Sequence, residues 1–252
     1  MSFIQVNKQN TFYIKSGNGK NVVILLHGWG QNTEMMKFIH DNLQQFFTVY
    51  SLDLPGFGKS NIMKEAFTAD DYRDWLYDFI ILNNINNPII IGHSFGGHIA
   101  IRYAAKYDVK KLVLTGGAGL KPKRGLDYYI KVYSYKTIKC ILSLPGLNKY
   151  KEKYTKNRGS SDYNNASGDL RKTFVNVVNS YVNDLLDQIQ CPVLLVYGDQ
   201  DVDTPLWMAK YFEKHLKNAG LVVFENRGHY AYYEESNRFN IIINEFLKED
   251  IL

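Results

Sequence analysis

The chain has 252 residues, of which 45% are apolar and 22% charged, and its formal net charge is +5. These values fit one large globular domain that can bury a full apolar core. The best apolar run, at residues 22–26, is only strand-sized, which excludes a membrane-spanning helix.

Short apolar runs rich in β-branched residues recur along the chain and predict strands. They lie at residues 12–15, 22–26, 48–52, 89–91, 112–114, 193–197 and 221–224. Between them, apolar residues at spacings of three and four predict helices, as at residues 72–80 and 239–247. Strands that are apolar throughout suit a parallel sheet buried on both faces. The alternation therefore predicts an α/β fold, a mainly parallel sheet flanked by helices.

The alternation stops between residues 119 and 187, where the pattern predicts helices at 128–142 and 170–186 and no strand. We therefore predict a core domain from residues 1–118 and 188–252, with an inserted helical cap at 119–187. Within the cap, residues 121–158 carry eleven basic and two acidic side chains. Such a segment can meet anionic lipid, nucleic acid or an acidic substrate, but more often it is a solvated face. We interpret the basic segment as a solvated face and expect no nucleic-acid partner.

The strongest local signal is Gly-His-Ser-Phe-Gly at residues 92–96, between a predicted strand and a predicted helix. A sharp turn there would hold Ser94 in a strained conformation, with its hydroxyl clear of the sheet. Side chains two positions before and after the serine would collide, so glycine is needed at 92 and 96. The pattern in this context predicts a nucleophilic serine.

A nucleophilic serine needs a histidine base and an acid that orients it, and both follow predicted strands later in the chain. His229 lies just past the strand at 221–224 and is the histidine that follows an acid in the expected order. Three acids follow the strand at 193–197, and spacing alone does not separate them: Asp199, Asp201 and Asp203. The other five histidines precede the serine, adjoin it or lie in predicted helices: His27, His40, His93, His98 and His215.

The tetrahedral intermediate of such a reaction needs backbone N–H groups directed at its oxyanion. One is expected from Phe95, directly after the nucleophile, and one from the loop His-Gly-Trp-Gly at residues 27–30. Glycines in that loop let the backbone approach a substrate closely.

The chain resembles the α/β-hydrolase superfamily, in particular small bacterial carboxylesterases and C–C hydrolases that carry a helical cap. Four segments carry the resemblance: residues 26–30, 53–60, 92–97 and 198–229. It implies that the acid is Asp201, three residues after Gly198, and that Trp29 supplies the second oxyanion N–H. It also implies that residues 53–60 form a structural loop near the floor of the site.

Serine at the elbow, where dehalogenases and epoxide hydrolases of this fold have aspartate, favours an acyl-enzyme mechanism. We expect a cofactor-free serine hydrolase without a metal site, most simply a cytoplasmic carboxylesterase acting on small or medium acyl substrates. The two cysteines and the N-terminus show no disulfide framework and no secretion signal. The alternatives are a C–C bond hydrolase and a slow-turnover ligand sensor that signals through a partner.

The cap supplies the last expectation, which concerns the substrate. Tyr129 and Tyr133 share a face of the helix predicted at 128–142. One hypothesis is that they roof the pocket at Ser94 and favour apolar acyl groups. The alternative is that they only pack the cap onto the core.

Overall fold

The computed structural model describes residues 1–60, 65–122, 125–144, 146–155 and 160–251. Its strands form one eight-stranded sheet in the order β1-β2-β4-β3-β5-β6-β7-β8. β1 and β2 pair antiparallel, as do β2 and β4, and all other pairs are parallel. The mainly parallel α/β fold predicted from the sequence is confirmed. The strands are Ser2–Val6, Gln9–Ser16, Val22–Leu26, Thr48–Leu52, Ile89–His93, Lys111–Thr115, Val193–Gly198 and Ala219–Phe224.

Strand β1 is the one strand of the described sheet that the sequence patterns did not predict. It is an edge strand of five residues, exposed along most of its length, and it pairs only with β2. Val6 is its one fully buried side chain, while Phe3 is exposed. A strand that buries so few side chains lacks the apolar run from which a strand is predicted.

Ten α-helices, numbered α1 to α10 in chain order, flank the sheet in the described part of the chain, with short 3-10 turns between some of them. α4 to α7 lie between β6 and β7, where the inserted cap is predicted; the cap boundaries themselves stay a prediction. The helices are Lys37–Leu43, Ala69–Leu82, Phe95–Ala104, Leu126–Ile141, Asn148–Thr155, Ser161–Asn165, Gly168–Val178, Leu206–His215, Ala231–Glu234 and Ser236–Leu247.

The helix predicted at 170–186 is shorter in the structure, since α7 ends at Val178. Arg102 of α3 donates hydrogen bonds to the hydroxyl of Ser180 and, at 3.0 Å, to the carbonyl of Tyr181. The N–H of Val182 donates to the carbonyl of Gly119 at 2.9 Å. These hydrogen bonds to distant residues take the place of the intrahelical hydrogen bonds that a longer α7 would make. The chain therefore leaves the helix and packs against the core.

Alternate residues of the central strands point to opposite faces of the sheet and build two apolar cores. On one face Ile24, Leu26 and Ile90 pack with residues of α2, α3 and α8. On the other, Val23 and Leu25 pack with residues of α1 and α10. The sheet is thus covered on both faces by packed helices.

The carboxyl ends of the parallel strands meet at one edge of the sheet. The loop after β4, residues 53–60, lies at this edge and is fixed by hydrogen bonds to the side chain of Asp53. Both carboxylate oxygens of Asp53 accept backbone N–H bonds at 2.7 Å, from Thr33 and Lys59. At Gly58, with φ of 54°, a Cβ would lie 2.1 Å from the same carboxylate. The loop is therefore a fixed part of the fold beside the site.

Candidate active site

Ser94 stands between β5 and α3 with φ of 50° and ψ of −110°, a backbone conformation that is strained for a residue with a side chain. Its N–H donates to the carbonyl of Thr115 in β6 at 3.0 Å, which fixes the turn. A Cβ at Gly92 would lie 2.6 Å from the backbone of Gly96, and one at Gly96 would lie 2.3 Å from the carbonyl oxygen of Leu26. The requirement for glycine at both positions is confirmed.

His229 lies in the loop after β8, and its Nδ1 atom is 2.8 Å from Oδ2 of Asp201, in the loop after β7. The carboxylate of Asp201 is buried and is held by further hydrogen bonds. The hydroxyl of Thr204 donates to Oδ2 at 2.7 Å, and the N–H groups of Asp203 and Thr204 donate to Oδ1 at 2.8 Å. Thr204 is a site residue that the sequence patterns did not single out.

The pKa of Asp201 reflects two opposing effects. Burial alone would raise it, but the bonds from His229 and Thr204 stabilise the charged form and hold the pKa below its usual value. Asp201 is therefore ionised at neutral pH and can orient the imidazole of His229 by accepting a hydrogen bond from its Nδ1–H group.

Of the three acids after β7, Asp201 is the one hydrogen-bonded to His229 in the described structure. Asp203 is exposed. One ligand atom each from Asp201, Asp203 and His229 lie within 4.8 Å of one another, a spacing that could hold a metal ion. A cation there would compete for the same Asp201 and His229 atoms that bind each other, so it would inhibit a serine mechanism.

The two predicted oxyanion residues lie side by side. The ring centroids of Trp29 and Phe95 are 5.3 Å apart, which brings the loop after β3 against the start of α3. Phe95 is the first residue of α3, so its N–H is one of the helix N-terminal donors that lack an intrahelical acceptor. The N-terminus of α3 also favours negative charge at this point.

A cavity of about 300 Å³ opens at Ser94, and its walls are largely apolar. Its lining includes Trp29 and Phe95 from the core and Phe174 and Val177 from α7. The ring centroids of Phe174 and Trp29 are 5.0 Å apart, so the cap is in contact with the loop after β3. A second cavity, of about 200 Å³, contains both Ser94 and His229.

Tyr129 and Tyr133, the residues predicted to roof the pocket, lie on α4 and are both exposed. Neither is among the residues that line these two cavities. The aromatic wall comes instead from Phe174 of α7, a helix that the sequence patterns predicted without identifying the face that it turns to the core.

Two acids, Asp162 of α6 and Asp203, line both cavities beside Ser94. Partial burial raises the pKa of Asp162, and the neighbouring charge of Asp203 raises it further, against an opposing effect of His229. No lysine or arginine is among the described residues that line either cavity. Among the described residues, the charged side chains that line the two cavities are therefore acidic.

Three other histidines beside the site are fully buried and neutral. Burial lowers the pKa of His27 to about 4, and lowers those of His93 and His98 to about 3. The ring of His93 packs at a centroid distance of 4.8 Å against His229. His27 accepts a hydrogen bond at Nε2 from the N–H of Leu54 at 3.0 Å. These neutral, buried histidines pack around the site, and Nε2 of His93 has no hydrogen-bond partner among the described residues.

His98 is held by Arg102, one turn further along α3. The Nε atom of Arg102 donates to Nε2 of His98 at 3.1 Å, so a neutral His98 carries its proton on Nδ1. Arg102 also donates to Asp70 of α2 at 2.9 Å. Because His98 lines the cavity at Ser94, this network connects the cavity wall with the end of the cap.

A strained serine after the fifth strand, with a histidine and an acid on the last two strand-end loops, defines the class of α/β-hydrolase-fold proteins. The chain belongs to the alpha/beta hydrolase family, whose sequence model matches residues 23–240. This confirms the resemblance seen in the sequence.

Curated relatives match nearly the whole chain. It is 28% identical to the AB hydrolase superfamily protein YisY of Bacillus subtilis, over 97% of this chain and 98% of that protein. It is 29% identical to a pimeloyl-[acyl-carrier protein] methyl ester esterase of Neisseria meningitidis, over 90% and 93%. It is 27% identical to a 2-hydroxy-6-oxononadienedioate/2-hydroxy-6-oxononatrienedioate hydrolase of Burkholderia vietnamiensis, over 94% and 90%. The family therefore joins ester and C–C bond hydrolases.

Proposed function

We propose that this protein is a serine esterase that hydrolyses esters of small or medium acyl groups through an acyl-enzyme. The observation that carries the proposal is that Ser94, on its strained turn, and His229, paired with Asp201, line the same cavity. A relative that is an ester hydrolase supports the same reaction.

In the first half of the reaction, the Oγ atom of Ser94 bonds to the ester carbon while its proton passes to Nε2 of His229. Asp201 stabilises the resulting imidazolium from the Nδ1 side. The N–H groups of Trp29 and Phe95 bind the oxyanion. His229 then gives the proton to the leaving alkoxide, the carbon–oxygen bond breaks, and the acyl group stays on Ser94.

In the second half, water replaces the alcohol. His229 takes a proton from the water as its oxygen bonds to the acyl carbon. The bond to Ser94 breaks, the proton returns to Oγ, and the carboxylic acid leaves. Every proton is carried by His229, so the chemistry requires neither metal nor cofactor.

The acidic side chains that line the two cavities favour a neutral ester over the C–C alternative. The name of the Burkholderia relative's substrate denotes a dioate, which carries two carboxylates. Asp162 and Asp203 would repel such a substrate, and the described cavity walls offer no lysine or arginine to bind it. A cavity of about 300 Å³ at Ser94, walled by Trp29 and Phe174, suits a compact apolar acyl group instead.

A panel of p-nitrophenyl esters of graded acyl length, with peptide amides alongside, tests the proposal. We expect steady turnover of short or medium esters, which Ser94→Ala abolishes. A fluorophosphonate probe should label the wild-type protein and fail to label Ser94→Ala. Labelling that persists in the variant would refute the assignment of Ser94, and a single burst without turnover would favour the ligand sensor.

A further inference from the structure

Helix α4 exposes an apolar face to solvent. Leu126, Ile130, Tyr133 and Ile141 recur at helical spacing and are 81%, 66%, 64% and 53% exposed. Leu144, just beyond the helix, is also exposed. Apolar side chains grouped on one exposed helix face mark an interaction site more often than single exposed apolar residues do.

The opposite side of α4 is the one that packs within the protein. Val132 and Tyr135 are half-buried there. The ring of Tyr135 stacks on Tyr154 of α5 at a centroid distance of 5.7 Å. One side of α4 therefore packs against the protein, and the other, more apolar side faces solvent.

Lysines border the exposed apolar face. Lys131 and Lys136 are both exposed on α4, and Nζ of Lys136 lies 5.9 Å from the ring centroid of Tyr133. Lys139 is also exposed, but its Nζ lies 6.0 Å from the ring centroid of Tyr135, on the packed side. Such side chains can lay their methylene stems on an apolar surface and extend their charge beyond it. The surrounding segment, residues 121–158, holds eleven basic and two acidic side chains.

Aromatic and aliphatic residues on one face, bordered by lysines, are the features of a helix that lies in the interface of an anionic bilayer. A second copy of this chain fits less well, because two such segments would bring like charges together. Solvation alone explains the lysines but not the apolar residues between them.

We propose that the exposed face of α4, with its lysines, docks the protein on anionic lipid surfaces. In the described residues no helix is long and apolar enough to cross a membrane, so the attachment is peripheral. Docking would present the cap to an acyl-rich surface, but it does not depend on the proposed esterase activity.

Co-sedimentation with vesicles tests the proposal on the full chain. We expect binding to vesicles that contain phosphatidylglycerol, release by added salt, and weak binding to pure phosphatidylcholine. Leu126→Gln with Ile130→Gln, or Lys131→Glu with Lys136→Glu, should each lower the bound fraction by about tenfold or more. Hydrolysis of a water-soluble ester should be unchanged in both double variants.

Matched controls separate docking from general effects. Ile241→Gln changes an isoleucine that is 70% exposed on α10, and Lys214→Glu reverses an exposed charge on α8. Both should bind like the wild type, and Ser94→Ala should also bind fully even if no esterase activity is found. Equal binding to both vesicle types would overturn the proposal. So would unchanged binding of the α4 variants, or light scattering that shows an α4-dependent dimer without lipid binding.

Discussion

His229 and Asp201 meet across 28 residues of sequence, with Nδ1 of the histidine 2.8 Å from Oδ2 of the acid. The hydroxyl of Thr204 donates to the same oxygen, and two backbone N–H groups hold the other. The carboxylate cannot rotate without breaking these bonds, so it presents one oxygen to the imidazole in a fixed direction.

Asp201→Asn should therefore lower kcat by roughly four orders of magnitude, because the amide no longer selects the correct histidine tautomer. Steady-state kinetics on a p-nitrophenyl ester measures this. Asp199→Asn and Asp203→Asn are the matched controls and should change kcat for a neutral ester only slightly. A larger loss in either control would mean that the acid has been assigned to the wrong residue.

Gly96→Ala should destabilise the protein by about 1–3 kcal/mol. The added Cβ would lie 2.3 Å from the carbonyl oxygen of Leu26, so β3 or α3 must move. Urea unfolding measures the change. In Gly220→Ala the Cβ meets nothing within 4 Å, and this control should stay close to the wild type. Equal stability of the two variants would contradict the steric account of the elbow.

Acid should destabilise the protein through its buried histidines. The pKa values of His27, His93 and His98 are lowered to between about 3 and about 4, while an unfolded histidine titrates near 6.5. The unfolded chain therefore binds more protons below pH 6.5. Stability should be complete above that pH and should fall as the pH drops towards 4, by up to about 1.4 kcal/mol per pH unit for each histidine.

His98→Gln should lower the slope of stability against pH by the contribution of one histidine, up to about 1.4 kcal/mol per pH unit. Urea midpoints at several pH values between about 5 and 7.5 give the slope. If the slope is the same in wild type and His98→Gln, the buried histidine does not titrate as described.

Phe174→Ala should shift the preference towards longer acyl esters, by about tenfold in the ratio of kcat/KM values. The ring lines the same cavity as Ser94, and its removal enlarges the space for an acyl chain. Tyr133→Ala is the control, since Tyr133 is exposed and does not line the cavity. A changed preference in Tyr133→Ala would restore the hypothesis that α4 roofs the site.

Removing the two negative charges that line the cavities should improve the turnover of anionic substrates. In Asp162→Asn with Asp203→Asn, kcat/KM for an ester bearing a distal carboxylate should rise by several-fold relative to an uncharged ester of equal length. The gain should diminish at high salt, which screens exposed charges. No change in the ratio would show that the two acids do not act on the substrate.

The elbow could be predicted from the sequence because its determinants are local. A strand, two glycines around Ser94 and a following helix lie within about fifteen residues, and steric exclusion allows few alternatives to this arrangement. The α/β class was equally accessible, since continuous apolar runs identify buried parallel strands. The short edge strand β1 was not, because Val6 is the one fully buried side chain that it contributes.

Only the tertiary structure determined the features that depend on where a side chain points. Asp199, Asp201 and Asp203 are equivalent by spacing, and only the approach of the loop after β8 selects Asp201 for His229. Periodicity likewise shows that Tyr129 and Tyr133 share a face of α4, but not which way that face points. The packing of α4 on α5 turns it to solvent, while α7 brings Phe174 to the cavity. The periodicity of a helix shows which side chains share a face. What that face contacts is determined by the packing of elements that are distant in the sequence.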